Sequence, residues 1–193
     1  MNFPDITLLL ASQSPRRRAL LKELGFPVKI VKAPDIDEVF PDNLKEGDIP
    51  LYLAKLKSEA YDNCDDNSIL VTADTIVWVD DEVIGKPEDR EDAINMLKKL
   101  SGKMHYVYTG VCLKYKSECH LICDETKVYF KNLTEEEIIY YIDNYKPFDK
   151  AGAYGVQEWI GFIGVERIDG SYFNVMGLPV HRLYSAITAL INP

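Results

Sequence analysis

The chain has 193 residues, 47% hydrophobic and 27% charged, which is typical of a folded protein with a substantial core. Its net charge of −9 argues against broad electrostatic binding to nucleic acid or to an anionic membrane. Its apolar runs are shorter than the roughly 18 residues that cross a bilayer, and no basic region precedes the first of them. We therefore expect a cytoplasmic protein without a signal peptide.

The stretch Leu8–Leu21 carries the first sign of function. Leu8–Ala11 predicts a short buried strand, and Ser14 with Pro15 predicts the cap and first residue of a helix. Arg16–Arg18 then fall in the first turn, where the helix dipole already disfavours cations. An anion at this helix end would explain them, and we interpret the stretch as a phosphate cradle. The alternative is that the arginines face solvent or pair with nearby acids.

Two further segments offer charged candidates. Pro34–Pro41 is an acidic loop that contains Asp37 and Glu38, and it is either a solvated turn or a source of metal ligands. The helix predicted from Asp48 to about Asn63 places Lys57 on or beside its apolar face. Periodicity leaves open whether this lysine extends to water or reaches into a pocket.

The segment Ser68–Val79 is the strongest strand pattern in the sequence. It is nearly continuous in apolar and β-branched residues, which predicts a strand covered on both faces. Asp74 interrupts the run, and a carboxylate in such a strand costs several kcal/mol unless it is paired, hydrogen-bonded or bound to a metal. Asp74 is therefore the leading candidate for chemistry, and a structural aspartate is the alternative.

The remaining elements follow in alternation at first, and strands dominate later. This order predicts one α/β unit with a mixed sheet, bent into two lobes around a cleft. The capping box of Thr134 and Glu137 opens one of the helices. Strands are predicted at Val28–Ala33, Met104–Tyr115 and His120–Phe130, helices at Glu88–Leu100, Thr134 to about Asn144 and Pro179–Ile191, and a hairpin at Phe162–Ile168 and Ser171–Val175 around Asp169-Gly170.

A glycine-rich loop and the cysteines are the remaining candidates for ligand binding. Phe148–Gln157 contains Gly152 and Gly155, which suggests either a backbone that approaches a ligand closely or an ordinary tight connection. Zinc binding near Cys119 and Cys123 is conceivable, but the spacing matches no common zinc pattern, so we interpret the cysteines as incidental thiols.

Taken together, several blocks resemble the Maf-like nucleotide pyrophosphatases in order and spacing. The resemblance covers nearly the whole chain and indicates a single domain over residues 1–193. It is carried by ASQSPRR (Ala11–Arg17), Asp37-Glu38, Lys57, ADTIV (Ala73–Val77), GKP (Gly85–Pro87), LSGKMHYVYTG (Leu100–Gly110), DKAGAYGVQ (Asp149–Gln157) and IDGSYFNVMGLP (Ile168–Pro179).

The resemblance implies a reaction and a fold. It implies hydrolysis of a nucleoside triphosphate, dTTP or UTP, into nucleoside monophosphate and pyrophosphate with Mg²⁺ or Mn²⁺, in a house-cleaning or regulatory role. It implies an elongated central mixed sheet flanked by helices, with two lobes around a cleft as in Maf and ITPase-like proteins, and often a homodimer. Two alternatives are a nucleotide-binding regulator of cell division that does not hydrolyse its ligand, and a nucleotidyl transferase.

The resemblance also implies roles for individual residues. Asp74 corresponds to the catalytic proton acceptor, and it could instead hold the metal, with Glu38 as the second ligand. The positions that match substrate-binding residues are Ser12, Arg16, Arg17, Lys57, Thr75, Lys86 and Gln157, and Arg16, Thr75 and Gln157 among them bear on base specificity. Glu158 and Trp159 depart from the family, which usually has glycine after Gln157, and they form a bulky pair beside this specificity position.

Overall fold

A mixed sheet of seven strands lies within residues 6–61 and 65–192, which are the residues that the computed structural model describes. The spatial order is β2-β1-β3-β5-β6-β7, and β4 pairs with β3. The strands are β1 (Thr7–Leu10), β2 (Val28–Ile30), β3 (Ser68–Val79), β4 (Glu82–Ile84), β5 (Met104–Tyr115), β6 (Glu118–Phe130) and β7 (Val165–Asp169). The predicted mixed sheet is therefore confirmed, and β3 has the bounds that its apolar run predicted.

Seven α-helices accompany the sheet in the described part of the chain. They are α1 (Pro15–Lys22), α2 (Asp48–Glu59), α3 (Arg90–Leu100), α4 (Glu135–Tyr145), α5 (Trp159–Gly164), α6 (Tyr172–Val175) and α7 (Val180–Ile191), with one 3-10 turn at Ala151–Ala153. The capping box is confirmed, because Thr134 and Glu137 each accept the other's backbone N–H. None of the described helices has the length and apolar character that crossing a membrane requires.

Helix α2 begins at Asp48, as predicted, and ends earlier than predicted. Asp48 is its first residue, since Gly47 occupies the cap position, and the helix ends at Glu59. The expected end near Asn63 lies outside the described residues, as does Cys64.

By its contacts the chain divides into two compact units, and three strands contribute residues to both. The first unit contains the described residues up to Asp74, Thr109–Asp124 and those from Gly177 onward. The second contains Thr75–Tyr108 and Glu125–Met176. Three of the four points of division fall within β3, β5 and β6, and the fourth lies between α6 and α7.

In the first unit, α2 packs very closely on the sheet. A Cβ on Gly110 would lie 2.3 Å from the carbonyl carbon of Pro50, so only glycine permits this approach of β5 to the helix. The hydroxyl of Thr72 donates to the carbonyl of Ala54 at 2.7 Å, which joins the buried middle of β3 to the same helix. These contacts determine how close the later residues of α2 lie to β3.

The second unit has an apolar core in which α3 and α4 pack together. His105 lies fully buried in it, with Nε2 2.8 Å from the hydroxyl of Tyr154 and its ring edge-on to Phe130. The other large residues of the core include Leu97, Leu100, Val128, Ile138, Tyr141, Ile142 and Ile160.

The hairpin predicted around Asp169-Gly170 is wrong. Strand β7 pairs with β6 instead, with Val128 opposite Ile168. Ser171 accepts the N–H of Asn174 and thereby caps α6, so the predicted second strand is a short helix. The buried Asn174 amide donates to the carbonyl of Val107 and the hydroxyl of Thr126, both at 3.0 Å. These tertiary bonds favour the helical turn over the hairpin that the dipeptide favours locally.

Burial of His105 predicts a specific pH dependence of stability. Burial lowers the pKa of His105 to about 3, whereas an unfolded histidine has a pKa of about 6.5. Between these values only the unfolded chain binds the proton. The contribution of His105 to the free energy of unfolding is therefore complete above about pH 6.5 and is lost as the pH falls towards about 3. Between about pH 4 and 6, we expect the free energy of unfolding to fall about 1.4 kcal/mol per pH unit more steeply in the native chain than in His105→Gln. Urea unfolding at each pH measures both slopes, and equal slopes would contradict the assignment.

Candidate active site

Two serine hydroxyls close the turn between β1 and α1. Ser12 accepts the N–H of Ser14 at 3.2 Å, and Ser14 accepts the N–H of Arg17 at 3.3 Å, which confirms Ser14 as the helix cap. The first turn of α1, described throughout, contains no acidic side chain and begins with Pro15 and Arg16. This end of the helix therefore keeps its attraction for an anion.

Arg17 joins three segments of the first unit. Its Nε donates to the carbonyl of Gly177 at 2.8 Å, and its Nη1 donates to the carbonyl of Ala73 at 2.9 Å. Burial lowers the pKa of the guanidinium, while the negative charge of Asp74 opposes that shift. Arg17 thus fixes the backbone directly before Asp74.

A buried lysine bridges two carboxylates in the same unit. The ammonium of Lys57 lies 2.6 Å from Oδ1 of Asp74 and 2.9 Å from Oε1 of Glu38. The Lys57 and Asp74 side chains are each 11% exposed, whereas that of Glu38 is 44% exposed. The Lys57–Asp74 contact is therefore shielded from water, and its electrostatic energy is larger than that of a surface pair.

The local folding explains why these groups meet. Strand β1 runs parallel to β3 with Leu10 opposite Val71, so α1 begins beside the point where β3 continues towards Asp74. The close packing of α2 on β3 brings the Lys57 side chain to that carboxylate. Catalytic and binding groups commonly gather at the carboxyl ends of parallel strands, and the turn that leads into α1 follows the carboxyl end of β1.

The carboxylates of Glu38 and Asp74 fit a divalent cation that arrives with phosphate. Within residues 6–61 and 65–192, no three His, Cys, Asp or Glu side chains are grouped to hold a metal ion. However, Glu38 and Asp74 already contact one cation, the Lys57 ammonium. Mg²⁺ commonly takes only one or two carboxylates together with waters and substrate phosphates, so this donor set is sufficient.

The other predicted residues belong to the second unit. Thr75 follows Asp74 on β3 and is half-buried, and Lys86 is exposed two residues after the end of β4. The carbonyl of Gly85 accepts the N–H of Gly152 at 2.9 Å, which ties the Lys86 turn to the glycine-rich loop. Gln157 ends that loop, and its buried Oε1 has no hydrogen-bond partner among the described residues.

The sequence patterns predicted the charged groups of the first unit but not their pairing. Glu38, Lys57 and Asp74 were each singled out, and the structure brings them into direct contact. The Arg17–Gly177 bond was missed, since no local pattern relates residues 160 positions apart. The link between Tyr141 and Glu158 was also missed, although Glu158 had been noticed beside Gln157.

The chain is similar to several proteins that are named dTTP/UTP pyrophosphatase. The chain is 53% identical over 190 residues to a dTTP/UTP pyrophosphatase of Phocaeicola vulgatus, with 98% of each chain covered. It is 50% identical to a dTTP/UTP pyrophosphatase of Bacteroides fragilis, again with 98% of each covered. A protein of the same name from Porphyromonas gingivalis is 47% identical, with 96% of this chain and 95% of that protein covered.

A solved structure and a family match complete the comparison. The fold resembles that of a HAM1 protein from Coxiella burnetii with a TM-score of 0.53 and 13% identity, over 95% of this chain and 99% of that one. At this identity the likeness concerns the fold alone. Residues 7–190 match the family described as Maf-like protein. With this match and relatives about half identical over nearly the full length, the chain belongs to the Maf family.

Proposed function

We propose that this chain hydrolyses nucleoside triphosphates, principally dTTP and UTP, between the α and β phosphates to give nucleoside monophosphate and pyrophosphate. The observation that carries the proposal is the buried Asp74 carboxylate, held by Lys57 beside Glu38 in a chain whose relatives are named for this reaction. Those names favour a hydrolase over a regulator that only binds nucleotide.

The chemical step needs a proton acceptor, and Asp74 is the group proposed for it. A water attacks the α phosphorus, Asp74 takes its proton, and the bond to the bridging oxygen breaks so that pyrophosphate leaves. The ammonium of Lys57, 2.6 Å from Oδ1, offsets the cost of burying this charge and fixes the direction of the carboxylate. Arg17 holds the preceding carbonyl of Ala73, which keeps the backbone of Asp74 in place.

The triphosphate carries about four negative charges, and cationic groups of the chain would bind it. Arg16 and the N–H groups at the start of α1 suit phosphate oxygens, and Lys86 is exposed in the second unit. Glu38 would hold a divalent ion such as Mg²⁺ or Mn²⁺, with Asp74 as the second ligand in the alternative in which Asp74 is not the proton acceptor, and the ion supplies stabilisation of negative charge on phosphate oxygens when bound. Thr75 and Gln157 are proposed to contact the base.

Product analysis tests the reaction and the base preference together. We expect the protein, incubated with Mg²⁺ or Mn²⁺, to convert dTTP and UTP to monophosphate and pyrophosphate faster than CTP, GTP or 7-methyl-GTP. Release of inorganic phosphate with nucleoside diphosphate would contradict the proposed bond cleavage. Binding of nucleotide without turnover of any would favour the regulator, and preferred turnover of 7-methyl-GTP would overturn the base assignment.

Replacing Asp74 tests the proposed proton acceptor. Asp74→Asn keeps the size of the side chain but removes its basicity, so we expect kcat for UTP to fall by at least about 10²-fold. Asp124→Asn is the matched control, because Asp124 is also a buried strand aspartate paired with a cation, Arg182, at 2.7 Å. We expect Asp124→Asn to fold and to keep kcat within about threefold of the native value. A loss of less than about tenfold in Asp74→Asn would contradict the assignment.

A further inference from the structure

The two contacts of the Lys57 ammonium differ in how far water reaches them. Its Nζ lies 2.6 Å from Oδ1 of Asp74 and 2.9 Å from Oε1 of Glu38. The side chain of Asp74 is 11% exposed, whereas that of Glu38 is 44% exposed. Water and salt screen an exposed ion pair much more than a buried one. The contact with Glu38 is therefore the weaker of the two, and it is the contact that opens at the lower cost.

The backbone also holds Lys57 on the side of Asp74. The hydroxyl of Thr72, two residues before Asp74 on β3, donates to the carbonyl of Ala54, three residues before Lys57 on α2. This bond joins the helix to the strand next to the place where the ammonium meets the carboxylate. Glu38 lies instead in an irregular segment between β2 and α2. Displacing such a segment disrupts less backbone pairing than displacing a central strand.

The charged groups around the ammonium carry an excess of positive charge. The groups whose charges act on the buried Arg17 guanidinium are Asp74, Arg16 and Glu38. With Arg17 and Lys57 included, three cations stand beside two carboxylates. This excess repels a free divalent cation. It attracts a complex of that cation with a nucleoside triphosphate, which carries about two negative charges.

We propose that Lys57 blocks Glu38 to a free divalent cation and releases it only to a cation that arrives on the phosphates of a nucleotide. The ammonium keeps its buried contact with Asp74 throughout. An ammonium has three N–H donors, so the donor that leaves Glu38 becomes available to a phosphate oxygen. This inference rests on the proposed function, in which Glu38 holds the metal, and it adds the order in which metal and nucleotide reach the site.

Binding of free Mn²⁺ in the absence of any nucleotide tests this role in the full-length protein. The dissociation constant is measured from the electron paramagnetic resonance signal of the unbound hydrated ion. Lys57→Gln keeps a hydrogen-bond donor and removes the charge, so we expect it to bind Mn²⁺ at least about tenfold more tightly than the native chain. Adding Glu38→Gln to Lys57→Gln should abolish that gain, because it removes the proposed ligand.

Lys55→Gln is the matched control for the loss of one positive charge. Lys55 lies on the same helix and forms an exposed pair with Glu59 at 3.6 Å. We expect Lys55→Gln to bind Mn²⁺ within about twofold of the native chain, because water and salt screen an exposed charge.

The preformed complex of Mn²⁺ with a UTP analogue tests the release of Glu38. The analogue carries a methylene group between the α and β phosphates and so resists cleavage there. We expect the native chain to bind this complex at least as tightly as Lys57→Gln does, because the released ammonium then contacts phosphate. Isothermal titration calorimetry measures both affinities. A complex that favours Lys57→Gln by the same factor as free Mn²⁺ does would show that the ammonium stays on Glu38, which contradicts the inference.

The Mn²⁺ measurements have contrary outcomes of their own. Equal affinity of the native chain and Lys57→Gln for free Mn²⁺ would overturn the inference, as would an equal gain in Lys55→Gln or a gain that survives Glu38→Gln. Free Mn²⁺ binding uses no turnover, so a native chain that hydrolyses no nucleotide would overturn the proposed function separately.

A second pair of variants covers the case in which Lys57→Gln does not fold. Lys57→Met combined with Asp74→Asn leaves no unpaired buried charge. Compared with Asp74→Asn alone, it should bind Mn²⁺ at least about threefold more tightly through Glu38. The absence of any gain in this pair would overturn the inference equally.

Discussion

The ammonium of Lys57 between the carboxylates of Asp74 and Glu38 is the contact on which the first unit depends. Strand β3 is buried along nearly its whole length, so Asp74 loses most of its hydration on folding. A buried carboxylate without a partner costs several kcal/mol, and that cost is a large fraction of the stability of an ordinary domain. The chain must therefore deliver a cation to this point. Helix α2 does so, and it reaches β3 because Gly110 permits the close approach.

The same constraint relates stability to function. A carboxylate that is paired with a lysine and shielded from water carries a desolvation cost that lowers the free energy of unfolding. A purely structural strand would be more stable with an apolar residue at this position. Arg17 provides a second constraint, because its hydrogen bonds to the carbonyls of Ala73 and Gly177 fix the backbone beside Asp74. Both features indicate a site in which position and charge were favoured over maximal stability.

The sequence predicted these features where local chemistry decides them. The continuous apolar run gave β3, Ser14 and Pro15 gave the start of α1, and the single acid in a buried run identified Asp74. For Lys57, helical periodicity placed the residue beside the apolar face, but whether it extended to water depended on a strand that begins nine residues after α2. The pairing with Asp74 is a tertiary fact that no local pattern encodes.

The same limit explains the errors in the second unit. Asp169-Gly170 has the local chemistry of a hairpin, yet the bonds of the buried Asn174 amide to Val107 and Thr126 stabilise a helical turn after it. Glu158 was recognised as unusual beside Gln157, but its partners Lys150 and Tyr141 are identified only in the folded structure. Long-range polar contacts, rather than secondary-structure propensity, separate the predicted features from the observed ones.

The most direct test of the central contact is the coupling free energy between Lys57 and Asp74 in urea unfolding. Lys57→Met strands the buried Asp74 charge, whereas Lys57→Met combined with Asp74→Asn removes it. We predict that the double variant is more stable than the sum of the single losses implies, by at least about 2 kcal/mol. Lys55→Met, which disrupts an exposed pair with Glu59 on the same helix, should cost no more than about 0.5 kcal/mol. Additivity of the Lys57 and Asp74 substitutions within about 0.5 kcal/mol would contradict the account.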